Sequence, residues 1–85
     1  MYTLELRSPA KTQLKRLDAT IRKQVLEKLN ELCANFKTRR HIALKGRDRG
    51  RFKLQVGNYR AVYAFDKQAR VVVVHRVAHR SKVYS

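Results

Sequence analysis

Eighty-five residues with 21 Lys+Arg against 6 Asp+Glu, a net charge of +15, leave room for one small core in a single domain spanning 1–85 and none for a separate cofactor domain. The single cysteine, Cys33, excludes an internal disulfide framework and a thiolate zinc cage, and no apolar run approaches the ~20 residues of a membrane span. Leu, Ile, Val and Phe together supply 23 residues, enough for the chain to fold, and with no basic-then-apolar leader it is expected to be soluble, cytoplasmic and without a membrane partner.

In chain order, residues 2–7 alternate as a half-buried strand, with Tyr2, Leu4 and Leu6 on one side. Ser8-Pro9 reads as a helix start, Ser8 as N-cap and Pro9 at the first helical position, although Lys11 stands where a capping box needs Glu or Gln. That first helix runs to about Leu17 and buries Ala10, Leu14 and Leu17. Asp18 caps a second helix in which Ile21, Val25, Leu29, Leu32 and Phe36 recur every three or four residues, with Leu26 and Cys33 widening the stripe. Cys33 is therefore read as a small core residue. The two helices form a hairpin laid on a sheet.

Residues 37–50 are polar and basic, a loop with a short extended piece around His41–Lys45. From Arg51 the period becomes two. Phe52, Leu54 and Val56 alternate with Arg51, Lys53 and Gln55. Gly57-Asn58 suits a two-residue hairpin turn, which pairs Val56 with Tyr59, Gln55 with Arg60, Leu54 with Ala61 and Lys53 with Val62. Directly opposed residues share a face. Phe52, Leu54, Val56, Tyr59, Ala61 and Tyr63 then face the helices, while Arg51, Lys53, Gln55 and Arg60 gather on the other side as an anion site. After a turn at Asp66–Ala69, Arg70–Val77 forms the last long strand. Its run Val71-Val72-Val73-Val74 lacks alternation, as in a central strand covered on both faces.

Charge follows the same division. Residues 1–36 hold 7 basic and 4 acidic side chains; residues 37–85 hold 14 basic and 2 acidic. Such an imbalance costs self-repulsion and serves only solubility unless a polyanionic partner neutralises it; phosphate neutralisation with counterion release favours nucleic acid over a solvated face or a membrane surface. Lys45, Arg47, Arg49, Gln55 and Lys82 are candidates for contact with a nucleic acid, RNA included. Where that nucleic acid is RNA, it carries its own nucleophile, the 2′-OH, so cleavage would need orientation, proton removal and charge stabilisation but no metal or cofactor. Asp48 and Asp66 are the only carboxylates after residue 36, too few for a two-metal nuclease site.

Leu44-Lys45-Gly46, Phe52-Lys53-Leu54, Val56-Gly57-Asn58-Tyr59-Arg60-Ala61-Val62-Tyr63 and His79-Arg80-Ser81-Lys82-Val83-Tyr84 stand in an order that resembles the RelE/ParE superfamily of type II toxin–antitoxin toxins across essentially the whole chain. The resemblance implies an α+β fold: an N-terminal strand, a helical hairpin, then a three-stranded antiparallel meander, all in one mixed sheet. It implies a ribosome-dependent endoribonuclease (mRNA interferase) that cuts message in the A site and inhibits translation, or, on the ParE side, a gyrase poison without nuclease activity. A non-catalytic nucleic-acid-binding module is the third alternative. Carried over by position, Lys53 is the general base, Arg60 the clamp on the scissile phosphate, Arg80 the proposed general acid and Tyr84 the side chain that orients the nucleotide. Arg51 occupies a position usually basic in the family, and His79 is an alternative acid. The implied partners are a cognate antitoxin, mRNA and ribosomal RNA, with the free toxin a monomer.

Overall fold

The structure, a computed structural model, describes residues 1–83, with side chains through Ser81. Five strands, β1 (Thr3–Leu6), β2 (Ile42–Ala43), β3 (Phe52–Val56), β4 (Tyr59–Asp66) and β5 (Val71–His79), form one sheet in the order β1-β5-β4-β3-β2. β1 runs parallel to β5; the other three pairings are antiparallel. Helices α1 (Ala10–Arg16) and α2 (Ala19–Ala34) lie on one face, and α3 (Arg80–Val83) follows β5 and packs against β4 and β5. This is the mixed α+β architecture expected, with a fifth strand because the short piece at Ile42–Ala43 pairs with Lys53 and Phe52.

The core is the helix-facing side of the sheet against the two apolar stripes. Leu14 from α1 and Val25, Leu29, Leu32 and Cys33 from α2 meet Leu54, Val56, Ala61, Tyr63, Val72, Val74 and Val77. Leu29 and Leu32 are fully buried. Burial pushes the Cys33 thiol pKa upward, so it behaves as an inert hydrophobe. Asp18 caps α2 as its position implies, its carboxylate accepting from the Thr20 N–H at 3.2 Å.

The entry to α1 differs from expectation. Pro9, not Ser8, is the capping residue, and no side chain caps the helix. The chain instead makes a turn at Ser8-Pro9, across a cis peptide bond, in which the Lys11 N–H bonds the Arg7 carbonyl and the Gln13 N–H bonds Pro9. That turn delays the first helical residue to Ala10, whose side chain is fully buried.

The β3–β4 register is the one the turn residues imply, Val56 with Tyr59 through Phe52 with Tyr63. Only Gly57 of the turn has a positive φ, +57°, so glycine supplies the first central residue as in a type II′ hairpin and Asn58 needs no left-handed backbone. The last strand is a correction. The four valines are not covered on both faces, since Val72 and Val74 are fully buried while Val71 and Val73 are only half-buried on the side without helices. Their unbroken apolarity reflects a strand hydrogen-bonded along both edges rather than two packed layers. β5 also runs two residues beyond Val77, because Ala78 and His79 pair with Arg60 and Tyr59.

A bulge interrupts β5. Val62 pairs with Arg76 and Tyr63 with Val74, which leaves His75 as the extra residue. The bulge falls where β1 ends, for Leu6 pairs with Val74 and nothing from β1 continues beyond it. The exposed edge is closed by α1, whose Gln13 side-chain oxygen accepts from the Val77 N–H at 2.6 Å.

An aromatic group anchors the loop after α2. Tyr2 stacks on Phe36 at 3.9 Å, and Phe65 meets Phe36 edge-on at 4.7 Å. His41 packs on Phe36 at 4.1 Å. Its Nε2 lies 2.9 Å from the Phe36 carbonyl, which can only accept, so that nitrogen carries the proton. Nδ1 then accepts from the Tyr63 hydroxyl at 2.7 Å. Tyr63 is 1% exposed, and its burial pushes the phenol up to about 12 against a smaller opposing pull from Arg39. A phenol whose pKa is raised on folding keeps its contribution below pH 10 and loses it as pH rises to about 12. Urea unfolding across that window should show about 2–3 kcal/mol of stability lost in the wild type that is not lost in Tyr63→Phe.

Candidate nucleic-acid interface

The face of the sheet turned away from α1 and α2 collects the alternate residues of every strand. From β1 come Thr3 and Glu5, from β5 Val71, Val73, Arg76 and Ala78, from β4 Arg60, Val62 and Ala64, from β3 Lys53 and Gln55, and from β2 Ile42. Lys53 sits directly opposite Val62, and Val62 opposite Arg76, so these two cations flank one valine across three strands. With strands ~4.8 Å apart, their backbones are about 10 Å apart and their long side chains can converge on one small anion. Arg60 pairs with Gln55 on one side and Ala78 on the other, one step along the same face.

Arg60 is 4% exposed, the buried charged residue among those described, whereas Lys53 is half-buried. Arg51 precedes β3 and Arg80 follows β5. The Arg80 side chain is exposed, and its N–H bonds the Asn58 carbonyl at 2.8 Å, which fixes the start of α3 at the β3–β4 turn, the Arg60 end of the sheet. The structure therefore brings Arg51, Lys53 and Arg60 onto one face and starts the Arg80 segment beside it.

The remaining sequence candidates are placed differently. His79 pairs with Tyr59, the opposite side of the strand from the Arg60 partner Ala78. Its Nδ1 accepts from the Ser81 N–H at 3.3 Å, lies 3.0 Å from the Ser81 hydroxyl, and its ring meets Tyr59 edge-on at 5.3 Å. That nitrogen serves the first turn of α3. The Gln55 amide is turned back to the Gly57 carbonyl at 2.7 Å. Lys45, Arg47 and Arg49 are exposed around a single 3-10 turn (Gly46–Asp48). Tyr84 and the Lys82 side chain lie outside the described residues.

Four residues absent from the sequence-based set, Asp48, Arg76, Val62 and His75, belong to this region. Asp48 projects from the 3-10 turn onto the sheet, where its carboxylate accepts from Arg76 Nη2 at 2.5 Å and pairs with Arg51 Nη1 at 3.8 Å. Val62, on the helix-free side yet fully buried, sits between Lys53 and Arg76 of the neighbouring strands, whose stems can cover it. His75, re-aimed by the bulge, has its pKa lowered by burial and by the charges of Arg51, Arg7 and Arg76, so the imidazole is neutral at pH 7. No periodicity could flag His75 or Arg76, because a one-residue bulge changes which face each occupies. Among the described residues, no three His, Cys, Asp or Glu side chains come together as a metal site would require, and no helix is long and apolar enough to cross a membrane.

These elements build a mixed α+β fold with a cationic helix-free sheet face. Residues 4–84 match the family profile described as the ParE toxin of type II toxin–antitoxin systems, parDE. The chain belongs to this family and, through it, to the RelE/ParE superfamily of toxins. Among solved structures it is similar to a chain of the RelBE2 toxin–antitoxin complex of Mycobacterium tuberculosis, at 30% identity and a TM-score of 0.80, covering 93% of this chain and 98% of that one. The isolated E. coli RelE toxin is similar at 27% identity and TM-score 0.77, covering 99% and 92%. The archaeal RelE–RelB complex from Pyrococcus horikoshii OT3 shares the fold at 20% identity and TM-score 0.76, covering 95% and 97%. A comparison with curated protein sequences returned no match.

Proposed function

We propose that this toxin is a RelE-type mRNA interferase that cleaves message in the ribosomal A site. The observation that carries the reading is the β3–β4 register, which sets Lys53 and Arg60 on one helix-free face with Arg51 beside them. The likeness to the E. coli RelE toxin supports it.

In this reading Arg60 holds the scissile phosphate, since a guanidinium matches two phosphate oxygens at once. Lys53 takes the proton from the 2′-OH, O2′ attacks phosphorus, and the P–O5′ bond breaks. The products are a 2′,3′-cyclic phosphate and a 5′-OH that takes its proton from water. Arg80 offsets charge on the leaving O5′, a role in electrostatics rather than proton donation because an arginine does not deprotonate near neutral pH. Arg51 adds positive charge to the pentacoordinate phosphorane, and Tyr84 stacks on the nucleotide. Lys45, Arg47 and Arg49 contact flanking phosphates of the message or ribosomal RNA. His79 is left to cap α3.

With no strong base braced by a carboxylate, the site depends on the ribosome to order the message, and free RNA is cut feebly. The cognate partner is an antitoxin whose acidic segment neutralises the basic surface. The relatives in the RelBE2 and RelE–RelB structures are seen with antitoxins. A second reading, a gyrase inhibitor without nuclease activity, rests on the ParE description of the matching family profile. Purified toxin added to a programmed ribosome–mRNA complex, with end-group analysis of fragments, separates the two. A-site cuts ending in 2′,3′-cyclic phosphate are expected. Intact message together with inhibited gyrase supercoiling would select the second reading.

A further inference from the structure

We propose that Arg76 is a further phosphate-contacting residue of this face, and that Asp48 is the positioning residue that holds it there. The inference deepens the nuclease reading, on which its place in catalysis rests.

Arg76 stands two strands from Lys53 across Val62, so it closes the side of the cationic group opposite to β3. Without a partner, a long arginine in the neighbourhood of Arg51, Arg7 and Lys53 would be driven outward by like charge. Asp48 prevents this. Its carboxylate engages Nη2 of Arg76 with one oxygen and lies 3.8 Å from Arg51 with the other. The Asp48 side chain is 18% exposed and that of Arg76 30%, so the pair is sheltered while part of the guanidinium remains open to solvent. A guanidinium has five N–H donors. One edge held by a carboxylate leaves the other directed and available to a phosphate, with little rotamer freedom left to lose on binding.

The backbone fixes Asp48 as firmly as the ion pairs do. The Arg51 N–H donates to the Asp48 carbonyl at 2.9 Å, and the Leu44 N–H donates to the Arg51 carbonyl at 2.9 Å, so the turn is tied to the start of β3. Gly46 and Gly50, with φ of +69° and +87°, give the left-handed bends on either side that let so short a loop fold back onto the sheet. In this arrangement Lys45, Arg47 and Arg49 point to solvent and the one acid of the loop points to the cations. The neutral His75 beside Arg76 adds no competing charge.

The test uses the full chain and a short single-stranded RNA oligonucleotide with 2′-deoxy substitution, which keeps the phosphates but lacks the attacking hydroxyl. Arg76→Ala and Arg76→Gln are each expected to reduce the slope of log affinity against log salt by about 0.7, the loss of one phosphate contact on a single strand. The glutamine variant keeps an uncharged polar side chain in place of the guanidinium and guards against a folding defect, which far-ultraviolet circular dichroism would reveal. In ¹⁵N spectra, the Arg76 Nε–Hε signal, assigned by its absence from Arg76→Gln, should shift when the oligonucleotide is added. In Asp48→Asn that signal should lose both its dispersion and its response. An unchanged salt slope in the two folded Arg76 variants would overturn the phosphate contact. An Arg76 signal in Asp48→Asn that matches the wild type would overturn the positioning role. Neither readout requires cleavage, so a wild-type protein that leaves ribosome-bound message intact removes the nuclease reading and still lets both claims be decided.

Discussion

Alanine at Lys53 or at Arg60 is expected to lower single-turnover cleavage of ribosome-bound message by about 10²–10⁴-fold, the range spanned by loss of a general base or of a preorganised charge stabiliser. The two substitutions differ in what else they disturb. Lys53 is half-buried on a face without helices, so Lys53→Ala should change stability by no more than about 0.5 kcal/mol. Arg60 is 4% exposed, and its truncation leaves a void among β4 and its neighbours. Arg60→Lys is the better probe there. It keeps the charge and most of the volume but replaces a planar fork with a point charge, and cleavage should still fall by at least 10-fold if two phosphate oxygens are held together. Thermal unfolding measured beside the rates separates chemistry from folding. A folded Lys53→Ala protein that cuts at the wild-type rate would remove lysine from the mechanism.

Leu29→Ala should be the most damaging single truncation in the core. The side chain is fully buried between α2 and the sheet, with Leu32 and Val25 beside it on the same stripe. Such a change costs about 2–5 kcal/mol, through lost burial and an incompletely collapsed cavity. Small domains hold only about 5–15 kcal/mol, and this one carries +15 of self-repelling charge, so the variant should be partly unfolded at 37 °C. Ile42→Ala is the control. Ile42 is 47% exposed on the short edge strand, and its loss should fall within about 0.5 kcal/mol. Urea titration of both proteins gives the comparison, and equal midpoints would mean that the core is not where the burial places it.

The elements with a regular hydrophobic period were readable from the chain, because period and face are coupled by backbone geometry alone. The α2 stripe and the Asp18 cap are local facts, each settled within one or two helical turns. The β3–β4 hairpin was equally local: two turn residues set the register, and the register sets the face of Arg51, Lys53 and Arg60. Features that depend on distant partners were not readable. Ser8 is an ordinary capping residue, but the turn at Ser8-Pro9 moved the helix start to Ala10. The valine run had the composition of a doubly covered strand, yet only one of its faces meets helices. Its neighbour β1 is more than sixty residues away in the chain, and where β1 stops decides where β5 bulges.

By itself, then, the order of residues determined the α2 stripe and the β3–β4 hairpin and placed the cationic group on the helix-free side, since alternation and a two-residue turn fix the faces of that hairpin. The tertiary structure alone decided that Asp48 from a loop and Arg76 from beyond a bulge join that group, and that Arg60 is buried within it. Residues 28 apart in sequence meet only when strands register, and no local preference encodes which long side chains the folded sheet will bring into ion-pair range.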